Sequence, residues 1–175
     1  LTDAEGAELA ADAGLPILDK KCAMHRQASF YANSWPEGTV VGPEGDVFAF
    51  YLPSADASSK PVLGGGEFLA AFDEKPETQA VQLYLGSTEW VNTKAKLGDW
   101  VSAQKYLDLA NVASPVDKLA VSCLQDVNAT FRFDGSDMMP AAVGAGTFWT
   151  GMTDWINGAT TADVLAAIES SWPKS

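Results

Sequence analysis

Residues 131–155 read FRFDGSDMMPAAVGAGTFWTGMTDW, a polar turn that leads into a predicted helix. Pro140 suits the first position of that helix, because its missing N–H would have no helical partner there. Asp134, Ser136 and Asp137 lie just upstream, where side-chain oxygens can accept hydrogen bonds from the free N–H groups of a first helical turn. The stretch therefore predicts a capped helix that begins at Pro140.

The predicted helix carries aromatic side chains on more than one face. Apolar residues spaced i, i+4 and i+7 or i+8 predict a core-facing side made of Phe148, Met152 and Trp155 or Ile156. Trp149 lies about 100° round the helix from Phe148, off that side and near the polar turn. Two interpretations of Trp149 follow: it packs in the core, where large aromatic side chains mostly lie, or it covers a ligand.

The same residues carry a resemblance to a known family. FRFDGSDMMP followed by GTFWTGM is similar to the C-terminal part of the extracellular solute-binding proteins of carbohydrate ABC transporters, and most similar to their α-glucoside-binding branch. The order Met139-Pro140 and then Phe148-Trp149 also resembles maltose-binding protein, in which the tryptophan of that pair stacks on sugar. The resemblance implies that Trp149 is a sugar-stacking residue.

The resemblance also implies a fold and a domain division. The fold would be α/β, the helix-rich C-terminal portion of a two-lobed periplasmic-binding-protein fold of type II. Residues 1–63 and 114–175 would form part of the second lobe, and residues 64–113 would belong to the first lobe in the intact protein. Proteins of this family are more than twice as long as the 175 residues present. We therefore expect a fragment, with the N-terminal half of its parent absent.

A second candidate segment follows a short strand predicted at 21–26. In α/β folds, ligand sites lie where strands end and helices begin. Residues 22–30, CAMHRQASF, resemble the family pattern CxxHxQASF. In maltose-binding protein a sugar-stacking aromatic matches Phe30, so the resemblance implies a second stacking ring there and a hydrogen bond from Gln27 to a sugar hydroxyl. Core packing is the alternative for Phe30.

A third candidate segment, at 61–72, reads PVLGGGEFLAAF. Three consecutive glycines permit close backbone approach to a ligand, but the GxxxxGK[ST] pattern of a phosphate-binding loop is absent. The resemblance implies that the segment crosses between the lobes and lines the cleft. Gly65 and Gly66 would then be backbone donors, and Glu67 would accept hydrogen bonds from sugar hydroxyls. A flexible turn with a solvated Glu67 is the alternative.

Local signals predict the other elements. VFAFYL at 47–52 is a nearly continuous run of strand-forming apolar residues, which predicts a buried strand. Pro76 can open a helix that ends at Gly86. Helix-capping hydroxyls are predicted at Ser87, at Ser114, and at Thr160 or Thr161.

The composition limits the classes of function. Eleven basic and 23 acidic residues give a net charge of −12, which argues against binding nucleic acid or anionic lipid. With one histidine and two separated cysteines, no zinc site is expected, and no cofactor is implied. Cys22 and Cys123 would pair in an exported protein or remain buried thiols in a cytosolic one. The resemblance favours the disulfide.

Sugars present hydroxyls at their edges and C–H patches on their ring faces, so a site needs aromatic planes with polar groups beside them. The candidate planes are Phe30 and Trp149. The candidate polar groups are Gln27, Gly65, Gly66, Glu67, Asp134 and Asp137. Helix capping alone is the alternative for the two aspartates.

The resemblance thus implies the sugar-binding component of an ABC importer rather than an enzyme. It would capture an oligosaccharide, an α-glucoside by likeness, outside the membrane and deliver it to the permease transmembrane subunits. A lipid anchor on the missing N-terminus would hold the extracellular or periplasmic parent at the cell surface. A glycan-active hydrolase with Glu67 and Asp134 as its carboxylates, and a fragment without activity of its own, are the alternatives.

Overall fold

The computed structural model describes residues 3–174. Its helices and strands, in chain order, are α1 (Asp3–Asp12), β1 (Pro61–Gly64), α2 (Pro76–Leu85), α3 (Thr88–Ala95), α4 (Pro115–Gln125), β2 (Thr130–Phe133), α5 (Phe148–Ile156) and α6 (Thr161–Ser170). Three short 3-10 turns lie at Leu15–Ile17, Ser29–Ser34 and Leu109–Asn111, and a π-helical turn at Val143–Thr147 leads directly into α5. The predicted α/β, helix-rich character is confirmed.

Strands β1 and β2 form a parallel pair, in the register Pro61 with Thr130 through Gly64 with Phe133. Parallel strands need a long crossover connection, and here it contains α2, α3 and α4. The ladder continues past the strand ends, because the Asp134 N–H donates to the Gly64 carbonyl at 3.0 Å. The two strands therefore end side by side, and the segments that follow them leave from the same edge.

The first hydrophobic core lies between α3, α4 and the 3-10 turn at Leu109–Asn111. It consists of Val91, Ala95, Leu107, Val112 and Val121. Serine caps set where both helices begin, as predicted: the Ser87 hydroxyl accepts from the Trp90 N–H at 3.1 Å, and that of Ser114 from the Val116 N–H at 3.2 Å.

The second hydrophobic core joins the π-helical turn to α5 and α6. Its buried members are Val143, Val164 and Ile168, with Met139, Phe148 and Met152 packed against them. The helices approach closely at Gly151, where an added Cβ would lie 3.1 Å from Val164 Cγ1. At the start of this region, the Pro140 carbonyl accepts from the Val143 N–H at 2.8 Å. The helical turn therefore begins at the predicted proline.

The predicted core-facing side of α5 is partly wrong. Phe148 and Met152 pack against the second core, but Trp155 and Ile156 are exposed. The Trp155 indole N–H donates to the Thr161 hydroxyl at 3.2 Å, which holds this side chain at the connection to α6. The last turn of α5 thus lies beyond the part of α6 that covers the core.

The predicted strands at 21–26 and 47–52 do not form. In 47–52, exposed residues alternate with half-buried ones, and the exposed rings of Phe48 and Phe50 stack on each other with centroids 6.4 Å apart. Only an isolated bridge between Val41 and Val47 is present. A strand buried on both faces needs neighbouring strands, and among residues 3–174 the sheet contains only β1 and β2.

The disulfide favoured by the resemblance is absent, because Cys22 and Cys123 are both free thiols. The Cys22 thiol lies in an irregular segment and donates to the Met24 carbonyl at 3.0 Å. Its hydrogen bond is therefore local, to a residue two positions along the chain. In the part of the chain that the structure covers, no helix has the length and apolar character needed to cross a membrane.

Candidate ligand-binding site

The ends of β1 and β2 bring two of the predicted segments together. We call residues 64–67 and 134–137 the glycine–aspartate junction. Its closest approach is between Gly65 and Asp137: a Cβ added at Gly65 would lie only 2.6 Å from Asp137 Oδ2. Because the Asp134 N–H also bonds to the Gly64 carbonyl, the parallel pairing itself positions both halves. Candidates that lie about 70 residues apart in the sequence therefore become neighbours.

Each glycine of the tract faces a different environment. An added Cβ at Gly64 would lie 2.7 Å from Cε2 of the Phe131 ring. At Gly65 it would meet the Asp137 carboxylate, and at Gly66 nothing lies within 4 Å. The first two glycines thus make room for groups on β2 and its turn. The backbone at Gly66 faces open space, where a ligand can approach it.

Asp134 is held as a charged acceptor. Its Oδ1 accepts from the Ser136 hydroxyl at 2.6 Å and from the Ser136 N–H at 2.8 Å. The bond from the Ser136 hydroxyl, and to a smaller extent the bond from the Ser136 N–H, lower the pKa of the Asp134 carboxyl from its ordinary value. Both bonds go to Oδ1, so the second carboxylate oxygen can accept a bond from a ligand hydroxyl. The capping interpretation is wrong for Asp134, since its carboxylate bonds within its own turn.

An aromatic cluster that the sequence reasoning missed adjoins the junction. The Phe68 ring stacks on Phe133, with centroids 5.7 Å apart and an interplanar angle of 28°. Phe131 meets Phe133 edge-on at 5.2 Å and 87°. All three rings are exposed. The sequence does place these rings next to the predicted polar segments: FRF lies directly before Asp134, and Phe68 lies directly after GGGE. We call Phe68 and Phe133 the phenylalanine platform.

Glu67 and Asp137 are exposed at the edge of this region. Glu67 extends from the irregular segment after β1, and Asp137 lies in the turn before Pro140. Exposed carboxylates are solvated, and they can exchange water for ligand hydroxyls without leaving a buried charge unpaired. The junction therefore offers acceptors on both of its segments.

Gln27 lies just before the 3-10 turn at Ser29–Ser34, and Phe30 lies within that turn. The Gln27 amide oxygen accepts from the Ala28 N–H at 2.9 Å. Phe30 is 65% exposed, whereas its neighbour Tyr31 is buried. The Tyr31 hydroxyl accepts from the Gly14 N–H and donates to the Ala11 carbonyl, both at 2.7 Å. Tyr31 thus fixes the turn on the end of α1 and leaves Phe30 open to solvent.

Trp149 is 48% exposed on α5, so its side chain is not sealed in the second core. Among the described residues, neither Trp149 nor Phe30 forms a ring pair with the other or with the phenylalanine platform. The convergence of these two rings on one hollow stays a prediction. Over residues 3–174 the side chains also form no cluster suited to a metal ion.

Two curated proteins match most of this chain. One is the osmoprotective compounds-binding protein GgtB of Synechocystis sp., which is 37% identical over 153 residues, or 87% of this chain and 36% of the relative. The other is the alpha-glucosides-binding periplasmic protein AglE of Rhizobium meliloti, which is 35% identical over 162 residues, or 91% of this chain and 35% of the relative. The chain is related to solute-binding proteins.

The predicted resemblance is thereby confirmed. The chain spans about a third of the length of the curated relatives it matches. Both solute-binding relatives are named for what they bind, and neither name describes an enzyme. No protein-family model and no solved structure matches the chain.

Proposed function

We propose that this chain is the C-terminal part of a sugar-binding component of an ABC importer. The intact protein would have the two-lobed, type II periplasmic-binding-protein fold, capture an α-glucoside outside the membrane and deliver it to the permease transmembrane subunits. The observation that carries the proposal is identity of 35% or more, over most of this chain, to two binding proteins, one of them named for α-glucosides and for a periplasmic location.

The geometry of the junction supports the same proposal. A sugar site needs hydrogen-bonding groups at the rims of the rings and apolar planes at their faces. The ends of β1 and β2 offer exposed backbone at Gly66, the charged Asp134 and the exposed phenylalanine platform in one region. These groups come from two segments, as expected for a site that encloses a ligand.

The proposed lobes meet at this junction. Residues 1–63 and 114–175 would contribute to the second lobe and residues 64–113 to the first. The boundary at residue 64 coincides with the end of β1, so closure of the lobes would change the surroundings of the glycine tract. Gln27, Phe30 and Trp149 would line the same cleft in the closed protein. A lipid anchor preceding this chain would keep the protein at the cell surface.

Isothermal titration calorimetry of the full-length protein containing this chain tests the proposal. Maltose and trehalose supply α-linked glucose, cellobiose is the matched β-linked control, and the isolated 175-residue chain is titrated in parallel. We expect heat with at least one α-linked sugar and weaker or no binding of cellobiose. Absence of heat with every sugar would refute the proposal. Release of glucose during the incubation would favour a hydrolase instead.

A further inference from the structure

Residues 48–52, FAFYL, form an apolar segment whose backbone is unpaired. The bridge between Val41 and Val47 ends where this segment begins. Among the described residues, none of the N–H or carbonyl groups of 48–52 forms a backbone hydrogen bond. Every residue of the segment carries one backbone donor and one acceptor, so the whole run is left able to pair with another segment.

The two faces of this segment differ in exposure. Along 47–52, half-buried and exposed side chains alternate, as in a strand, where successive side chains point to opposite faces. The half-buried face is anchored, because the Tyr51 hydroxyl donates to the Pro61 carbonyl, at the start of β1, at 2.7 Å. The other face is open, and its three side chains are each between 53% and 58% exposed: Phe48, Phe50 and Leu52.

The chemistry of the open face limits what can cover it. Its three side chains carry no hydrogen-bonding group, so a hydroxyl-rich or ionic ligand would find only backbone partners there. A segment that is apolar on both faces is typical of a strand in a sheet covered on both sides. The occupant that fits is an extended apolar segment, which supplies backbone hydrogen bonds and covers the rings together.

The source of that segment follows from length and charge. This chain spans 36% and 35% of the lengths of its two relatives, so most of such a protein lies outside these residues and can supply strands. A second copy of this chain is a poorer occupant, because two copies that each carry a net charge of −12 repel one another.

We propose that residues 48–52 are a buried strand in the intact protein, paired with a strand from the part of that protein outside residues 1–175. The same part covers the open face of Phe48, Phe50 and Leu52. This inference rests on the portion of the proposed function that makes this chain part of a longer binding protein, and it requires no sugar.

Amide hydrogen exchange followed by mass spectrometry tests the pairing without any substitution. It is measured on the full-length protein containing this chain and on the isolated 175-residue chain. In the full-length protein, residues 48–52 should exchange about a hundredfold more slowly than the exposed loop at 55–59, because paired amides must open before they exchange. In the isolated chain the two segments should exchange within about tenfold of each other, since 48–52 is unpaired there.

Cysteine accessibility reports on the open face. In the full-length protein, Phe50→Cys should react with a maleimide at least about tenfold more slowly than the matched control Ala57→Cys, which lies in the exposed loop. Equal reaction rates of the two variants would show that the face stays open and would overturn its proposed covering. If Phe50→Cys does not fold, hydrogen exchange of the unsubstituted protein still decides.

The exchange results separate the possible occupants. Fast exchange of 48–52 in the full-length protein would overturn the proposal. Slow exchange in the isolated chain would also overturn it, and sedimentation of that chain as a dimer would then identify a second copy as the occupant. Protection confined to the full-length protein, without heat in the sugar titrations, would support this inference and refute the proposed function.

Discussion

At the scale of single residues, the glycine tract shows how one sequence motif serves three purposes. Gly64 makes room for the Phe131 ring and Gly65 for the Asp137 carboxylate, whereas Gly66 faces open space. A ring held in a strand pair cannot move aside as easily as an exposed carboxylate. The three positions should therefore differ in their tolerance of a side chain.

The change Gly64→Ala should reduce the free energy of unfolding by about 1–2 kcal/mol, because the new Cβ would overlap the Phe131 ring. The matched control is Gly66→Ala, which should be neutral or stabilising by up to about 1 kcal/mol, since the unfolded chain loses freedom and nothing is crowded. Urea denaturation of both variants provides the measurement. Equal midpoints for the two would contradict the crowding seen at Gly64.

The candidate binding residues were predictable to different degrees. Asp134, Asp137 and the glycines stood out because turn-forming and flexible residues are recognisable from a few neighbours. Phe68 and Phe133 were missed because their meeting depends on the pairing of β1 with β2, which no local pattern encodes. Binding of sugar by Gln27, Phe30 and Trp149 stays a prediction.

At the scale of secondary-structure elements, helix starts followed the sequence closely. Ser87, Ser114 and Thr160 each cap a helix, and Pro76 begins α2. These signals act within four residues, so they hold whatever the tertiary surroundings. The strand predicted at 47–52 does not form, because a strand depends on pairing with another segment and not on local residues alone. No paired strand lies beside these residues in the described part of the chain.

The third residue of α4, Asp117, carries an electrostatic cost. Asp117 is only 6% exposed, and burial, with a smaller effect of Asp99, raises the pKa of its carboxyl. Because the pKa of Asp117 is higher in the folded state than in the unfolded state, the protonated group contributes its full stability below the unfolded pKa, near 4. That contribution is lost as the pH rises through the pKa of the folded state. At neutral pH the charged Asp117 therefore destabilises the fold.

Replacing Asp117 with its neutral isostere, asparagine, tests whether the buried charge destabilises the fold. Asp117→Asn should raise the melting temperature at pH 7, and the gain should shrink towards zero as the pH falls below about 4, where Asp117 is protonated in both states. Thermal unfolding between pH 3 and pH 7 is the measurement. The control is Asp163→Asn, at the same position after the cap Thr160 of α6 but exposed, where no comparable gain is expected. A gain that persists unchanged in acid would argue against charge burial as the cause.

At the scale of the whole molecule, most of the buried apolar side chains within residues 3–174 belong to two separate cores. Large apolar side chains outside them remain exposed, including the stacked Phe48 and Phe50 and the ring of Phe72. Stability within residues 3–174 therefore depends on few residues, and a cavity in either core should be costly.

The change Val121→Ala in the first core should lower the free energy of unfolding by about 2 kcal/mol, because it removes a side chain that is 0% exposed. Val127→Ala is the matched control, since Val127 lies just after α4 and is 94% exposed, and it should change stability by less than about 0.5 kcal/mol. Chemical denaturation gives both values. If the two substitutions cost the same, the first core would not carry the stability of α3 and α4.

The crossover between β1 and β2 also has a kinetic consequence. About 65 residues, including three helices, must be looped out before Thr130 can pair with Pro61. The strand pairing is thus a contact of high sequence separation, and such contacts slow folding. A protease cut within the crossover would divide the chain into two fragments, so that pairing of β1 with β2 would require two separate molecules to meet. Recovery of the strand pair after denaturation would then depend on protein concentration.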